Sequence, residues 1–572
     1  VQRFTDINTV PIDDKNCLLA RFNYLAAPTE VCSGYQSPLP QINVDEEDKR
    51  YSFVIVDESS GSPCFVLVEL DFSLRQLPSA ELGGSLYIGG PVLKKFDGRL
   101  FDNGFQTFPV ISGAATAYTS GGSIADGTYY YKLVYEFIDG KGELHRSAPS
   151  AAAAVTIAGG GGSGRFVVNV AQEYVGDFCR FNSAETPSAV VVRVFRTALG
   201  GSVYYDTGAY SFIDAATTVS VTESDATIQA NAALYTEVEL EQQAPSGAKC
   251  LCAHNNRLLA VPIDDPTAIW VSKEYAYGYT VEFCSSFVVR VQDPIEAVFG
   301  LDQLWIAASN KSIRYFTGPG PNAAGSDSWF GPVMTISTNR GVKNWRSVAQ
   351  IPLGIAFQSN VGWCLLDRGL NVTDLNAPAK YRDYEVLNTV VDDRRSLVLW
   401  HLSNGEAIVW DFSRNAWFIW DGMDVNAIAV WQNKIVGLKD NGLMRIESGF
   451  KDDEQNPISL GIETGWISMS GKTGAQHVSE ISIVGKWKSA HILKAHLSYD
   501  YDDTVSETVE IDLDSDPGLY LMQITPGKQK CTAFKIKIED VPTGGSGESC
   551  ELVGLRLMVS GMSKPVRPVG AE

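Results

Sequence analysis

Along residues 127–138, GTYYYKLVYEFI, the side chains of Tyr129, Tyr131, Leu133, Tyr135 and Phe137 fall on one side of an extended chain. Tyr130, Lys132, Val134 and Glu136 fall on the other, the period of two that a strand imposes. The run predicts a long strand. Ile138-Asp139-Gly140-Lys141-Gly142 then supplies residues that tolerate positive φ, and Ser147-Ala148-Pro149-Ser150 leaves through a proline that has no N–H for a ladder. A hairpin is expected here.

The same signature recurs along the chain, whereas amphipathic helical periodicity is scarce. YSFVIVDESSGSPCFVLVEL predicts a hairpin around Phe53 to Leu70, and GRFVVNVAQEY and AVVVRVFRTALGGSVYYDTG add short strands after the first hairpin. GGGGSG, residues 159–164, reads as a mobile loop between two of them. From about residue 245 to 450 five segments, beginning with CLCAHNNRLLAV, each join two β runs through a polar turn such as Asn255-Asn256 or Ser403-Asn404-Gly405. They restart every 35–50 residues, roughly the spacing of propeller blades. The expected fold class is all-β: a β-propeller with immunoglobulin/fibronectin-like β-sandwich domains. The expected domains are an N-terminal β region over 1–107 that is a candidate to close the propeller, a sandwich over 108–240, blades over 241–455, and a C-terminal sandwich over 456–572.

With 572 residues and 45% hydrophobic content, the chain can bury several cores. Its net charge of −21 argues against a surface built to grip phosphate. The ten Cys show no metal spacing, and Cys250 and Cys252 are too close along a strand to bridge, so reduced, mostly buried thiols are expected. The N-terminal residues VQRFTDINTVPIDD lack the apolar core of a signal peptide, and no run is long and apolar enough for a bilayer, so a soluble protein is expected.

Catalytic signatures are missing: there is no GxSxG elbow, HExxH helix or phosphate-binding GxxxxGK[ST] loop. His491 and His496 lie five apart in a strand and so on opposite faces, which disfavours a shared metal. Asp500, Asp502 and Asp503 read as a solvated turn rather than a calcium loop. Asp393, Glu406, Asp411 and Asp421 lie near Trp400, Trp410, Trp417 and Trp420, the composition of a sugar site, although blade packing and turn capping use the same residues. No catalytic, cofactor-binding or metal-binding residue is assigned, and no enzyme is expected. The loop GPGPNAAGSDSWFGP, residues 318–332, carries the one candidate interface pair, Trp329 and Phe330.

The order of parts is informative. GGPVLKKFDGRLFDNGF, then GTYYYKLVYEFIDGKGELHRSAPS, then CLCAHNNRLLAV, then AFKIKIED and LVGLRLMVSG resemble the tail nozzle, or lower tail-tube, proteins of short-tailed bacteriophages (podoviruses). The resemblance implies a structural virion protein, assembled in the host bacterial cytoplasm and located in the virion tail. It implies a homo-oligomer, a hexamer, docked to a portal adaptor protein and to tail fibre or spike proteins, through which DNA passes at ejection without specific binding. The alternatives are a carbohydrate-binding or carbohydrate-cleaving propeller, or a WD-type scaffold, although Trp410-Asp411 and Trp420-Asp421 lack a regular Gly-His partner.

Overall fold

The computed structural model describes residues 18–21, 51–57, 64–70, 77–96, 100–171, 190–211, 217–234, 240–423, 425–431, 434–438, 444–446, 460–469, 474–515, 518–543 and 550–565, some of them by backbone alone. Within these the chain is nearly all-β and built of many small antiparallel sheets. The α-helical content of the described residues is Asp225–Ile228, capped by the Ser224 side chain. The chain divides into two compact units, Gln2–Met444 and Arg445–Glu572.

Six sheets follow one another along the first unit: sheet A over residues 79–102, B over 250–290, C over 295–337, D over 349–374, E over 386–420 and F from residue 427 to the end of the unit at 444. In each, strands pair with their sequence neighbours in up-and-down order. Two-residue turns close several hairpins. Asn255 and Asn256, both at positive φ, join the paired ends His254 and Arg257, as the right-handed twist of the strands requires.

Each core is shared by two successive sheets. Tyr87 and Leu93 of A pack with Leu258 and Phe283 of B. Leu259 and Ile269 of B pack with Trp305 and Phe316 of C. Phe299 and Ile306 of C meet Phe357 and Leu366 of D, and Ala356 and Trp363 of D meet Trp400 and Trp410 of E. Leu399 and Val409 of E close on Ile428 and Ile435 of F. Inner sheets are therefore covered on both faces, which is why Arg257–Val261 and Ala407–Asp411 are buried at every position rather than at alternate ones. Serial stacking of up-and-down sheets is the arrangement of a β-propeller.

The five segments expected between residues 245 and 450 are sheets B to F. Sheet A went unread in the sequence because its strands are only three or four residues long, as in Ser79–Leu82 and Lys94–Phe96. The expected N-terminal hairpin is present, with Tyr51–Asp57 paired to Cys64–Leu70 and Leu18–Arg21 added at its edge. The sheet stacked on B, however, is A.

Between A and B the chain forms two sheets around one core. One runs Leu144–Arg146, Gly127–Ile138, Val191–Thr197, Tyr204–Ser211, with Ala153–Ile157 also paired to the long strand; the other runs Thr217–Val221, Arg165–Val170, Thr116–Tyr118. Tyr129, Tyr131, Leu133, Tyr135 and Phe137 all enter that core, as their alternation predicted. The opposite face is also partly covered: Val134 by Phe195 and Leu234, and Glu136 is held by Arg146 and Arg193.

The loop of residues 159–164 also departs from expectation. The backbone N–H groups of Gly159, Gly160 and Gly161 converge on the Asp126 carboxylate at 2.7–3.4 Å, and Ile124 pairs with Gly164 across its base. Positive φ at Gly159, Gly161 and Gly162 turns these donors inward, so the glycines build an anion nest that fixes the loop.

In the second unit, Leu460–Glu463, Phe534–Pro542, His491–Tyr499 and Glu507–Leu513 form one sheet. Leu519–Ile524, Gly474–Trp487, Lys530–Cys531 and Cys550–Pro565 form the other, and the two share a core that includes Ile483, Leu493, Leu497, Met522, Phe534 and Ile536.

Candidate functional site

The turn of the residue 127–150 hairpin does not end in solvent. It is inserted against sheets A and B. Leu144 donates its N–H to Gly278 O and accepts from Thr280 N–H, which forms a short parallel bridge to Tyr279 in the loop between two strands of B. On the other side, the Lys141 ammonium donates to the carbonyl oxygens of Gly83 and Gly84 and to Ser85 Oγ of sheet A. Gly83, at φ 61°, has no room for a Cβ because the Tyr275 ring of sheet B's loop lies against it. Three separate stretches of sequence therefore meet at one turn.

At this junction lies a buried charge cluster. The Lys95 ammonium of sheet A bonds Asp139 at 2.5 Å and also bonds Glu143, both from the turn. The Lys95 and Asp139 side chains are fully inaccessible. His145 uses both ring nitrogens in its neutral form: Nε2–H donates to Asp139 at 3.1 Å and Nδ1 accepts from Gly104 N–H at 3.4 Å. Tyr275 donates its hydroxyl to the second oxygen of Glu143 at 2.7 Å. Asn103 joins the same seam, accepting from Thr280 Oγ1 and donating to Val281 O.

The environment sorts the protons. Burial pushes the Asp139 carboxyl up, but the hydrogen bonds from His145 and Lys95 outweigh it and hold the carboxyl well below the usual carboxylate range. Burial drives the His145 imidazole below its ordinary value against the opposing pull of Asp139. Burial and the hydrogen bond to Glu143 push the Tyr275 phenol up to about 12. The result is an ammonium, a firmly ionised Asp139 and a neutral imidazole, locked together where water has no access. Such a set is a joint that specifies one docking geometry, because a shifted turn would strand a buried charge. Both ring nitrogens of His145 are thereby committed, one to Asp139 and one to the Gly104 N–H.

The candidate interface pair is split by the structure. Phe330 is half-buried and packs edge-on against Trp305 and Phe316 at ring separations of 6.0 and 5.5 Å. Trp329 meets the buried Phe287 edge-on at 6.3 Å yet leaves 53% of its surface exposed. The loop itself is firmly held. Trp305 Nε1 donates to Gly318 O, the buried Arg257 guanidinium donates to Pro321 O, and Leu240 N–H donates to Ala323 O. Beside its base, Asn255, Arg257, Glu274 and Thr317 line a groove of about 420 Å³. Other exposed aromatics include Tyr277, 91% accessible, and Tyr279, both on the loop that receives the hairpin turn.

Of the residues considered for sugar chemistry, three tryptophans pack together and one aspartate caps a turn. Trp400 and Trp410 are buried and both stack on Trp417, with ring separations of 5.8 and 5.9 Å. Asp411 caps its turn by accepting from Ser413 and Arg414. His491 points into the core of the second unit and His496 out of it, toward Thr508 and Glu539, so the two do face apart. Asp500, Asp502 and Asp503 bond Thr532, Thr504 and Lys535 respectively in a turn.

Sequence reasoning missed the charge cluster. Its only trace is Lys95, which shares a strand face with Leu93 in VLKKF and so occupies a position that should be apolar.

No family model matches the chain, and no curated protein does. Among solved structures, it is similar to the WD40 domain of Toxoplasma gondii coronin, at 10% identity and a TM-score of 0.26, over 55% of this chain and 86% of that one. A chain of a mitotic checkpoint complex gives 8% identity and a TM-score of 0.27, over 74% of this chain and 98% of that one. Scores this low carry no argument about function, and the propeller reading stands on strand order and shared cores.

Proposed function

We propose that this protein is a structural component of a phage virion, the nozzle of a short tail, assembling as a ring-shaped conduit for DNA ejection. The observation that carries the reading is the buried joint of Lys95, Asp139, Glu143 and His145, which fixes an inserted two-sheet unit onto a propeller. A conduit that transmits force from a portal adaptor to fibres or spikes needs its outer docking unit held in one geometry, whereas a binding module on a linker does not. The inserted unit, read as an immunoglobulin/fibronectin-like sandwich, is then the docking surface. The sheet of residues 18–70 is the piece that closes the propeller. Trp329, Tyr277 and Tyr279 supply exposed aromatic anchors for neighbouring copies or partners.

Electron microscopy of the purified full chain tests this. A six-fold ring with a lumen is the expected image. A monomer in light scattering that releases reducing sugar from a polysaccharide would replace this reading with the carbohydrate-cleaving one, and a monomer that binds only peptides would replace it with a scaffold.

A further inference from the structure

The second unit contains a convergence of ligand atoms that its sequence spacing conceals. His491 opens the strand His491–Tyr499, Asp540 lies in Phe534–Pro542, and Cys550 opens Cys550–Pro565 on the facing sheet. The register pairs His491 with Pro542 and Leu493 with Asp540. His491 and Asp540 are therefore diagonal neighbours on the same inward face, and Cys550, paired with Trp487, comes from across the core. One ligand atom from each of the three lies within 4.8 Å of the others.

We propose that His491, Asp540 and Cys550 bind a zinc ion that ties the two sheets of this unit together. The histidine is already in the required tautomer. Its Nδ1–H donates to Ser489 O at 2.6 Å, which leaves the lone pair on Nε2, and that buried nitrogen has no hydrogen-bond partner. A backbone carbonyl that orients the far nitrogen is the usual support for a metal-bound imidazole. The charges also close. A neutral imidazole, a carboxylate and a thiolate bring two negative charges to a divalent cation, so the loaded site is neutral, which a buried site requires. On binding, the Cys550 thiol releases its proton to solvent and its sulfur bonds the metal.

The donor set of nitrogen, oxygen and sulfur suits zinc. Bonds of about 2.0–2.3 Å in a tetrahedron set ligand atoms about 3.3–3.8 Å apart, against present separations of 4.8 Å or less. The Tyr520 ring, 6.0 Å from His491, walls the site; Gly485 makes room for it, since a Cβ there would run into that ring. A cysteine hydrolase triad is a poorer fit. There the carboxylate would take the Nδ1 proton, and here a main-chain carbonyl has it.

The test uses the full chain, produced with zinc in the medium and dialysed against a weak chelator. Metal analysis should find about one zinc per chain, held by the three side chains with water in the fourth tetrahedral position. Cobalt substitution should give a thiolate-to-cobalt charge-transfer band that Cys550→Ser abolishes, and His491→Gln should lower zinc retention at least tenfold. Because these variants can misfold, the wild-type chain is also melted with a strong chelator and again after zinc is restored. A reversible fall in the melting midpoint of the second unit supports the site. Folded wild-type protein that retains no zinc, and whose midpoint neither chelator nor zinc moves, overturns it.

Discussion

Lys95 shows what one misplaced charge would do to this molecule. Its ammonium stands between two carboxylates at a site closed to water, so removing it leaves both Asp139 and Glu143 buried without their cation. Lys95→Met should destabilise the first unit by about 3–5 kcal/mol, the cost of breaking a buried ion pair. Adding Asp139→Asn and Glu143→Gln should recover most of that loss, because the stranded charges are then gone. Thermal unfolding of the single and triple variants checks this, and a triple variant no more stable than the single one would refute the joint.

Proton linkage gives a second prediction at this scale. Burial holds His145, His254 and His401 below the ordinary histidine value. As pH falls through about 6.5 the unfolded chain binds protons that the folded chain refuses, so stability is full above that pH and declines below it. The contribution of Asp139, whose folded value is depressed, persists to lower pH and is lost as pH falls below about 4. The melting midpoint should therefore drop between about pH 7 and pH 5, and His145→Gln should flatten part of that slope. An unchanged slope in the variant would mean that His145 does not carry the linkage.

Loops and strands differ in what they hide. The loop of residues 318–332 looks like an irregular interruption in sequence, but main-chain carbonyls at Gly318 and Pro321 are each claimed by a side chain of the propeller. Within it the two aromatics have separate duties. Phe330→Ala removes a ring packed on Trp305 and Phe316 and should cost about 1–3 kcal/mol, less than a fully buried phenylalanine. Trp329→Ala should leave the melting midpoint within about 1 °C, since exposed substitutions stay within about 0.5 kcal/mol, while weakening assembly or infectivity. Normal assembly and infectivity in Trp329→Ala would remove this loop from the interface.

At the scale of the whole molecule, charge dominates. Each chain carries −21, so the ring proposed above would concentrate negative potential around a central passage, and like charge disfavours lasting contact with phosphate. Several cations are already committed to carboxylates, as with Arg395 to Asp392 and Lys488 to Glu551. The assembled protein should bind duplex DNA only weakly at near-physiological salt. Tight affinity that falls steeply with salt would reveal a basic groove and replace the conduit with nucleic-acid capture.

Local pattern alone determined the all-β class, the five sheets from residue 245 onward and the inward face of Tyr129 to Phe137, because strand periodicity and turn chemistry are properties of neighbouring residues. It also separated His491 from His496 correctly, since alternation is local too. Sheet A escaped because strands of three or four residues hold too few positions for a period to register. The fixed glycine loop, the division of labour between Trp329 and Phe330, the Lys95 joint and the grouping of His491, Asp540 and Cys550 were decided only by tertiary structure. In each case the contacts join separate stretches of sequence, and at the Lys95 joint what gives the charged side chains their role is the low-dielectric, water-free surroundings that packing alone creates.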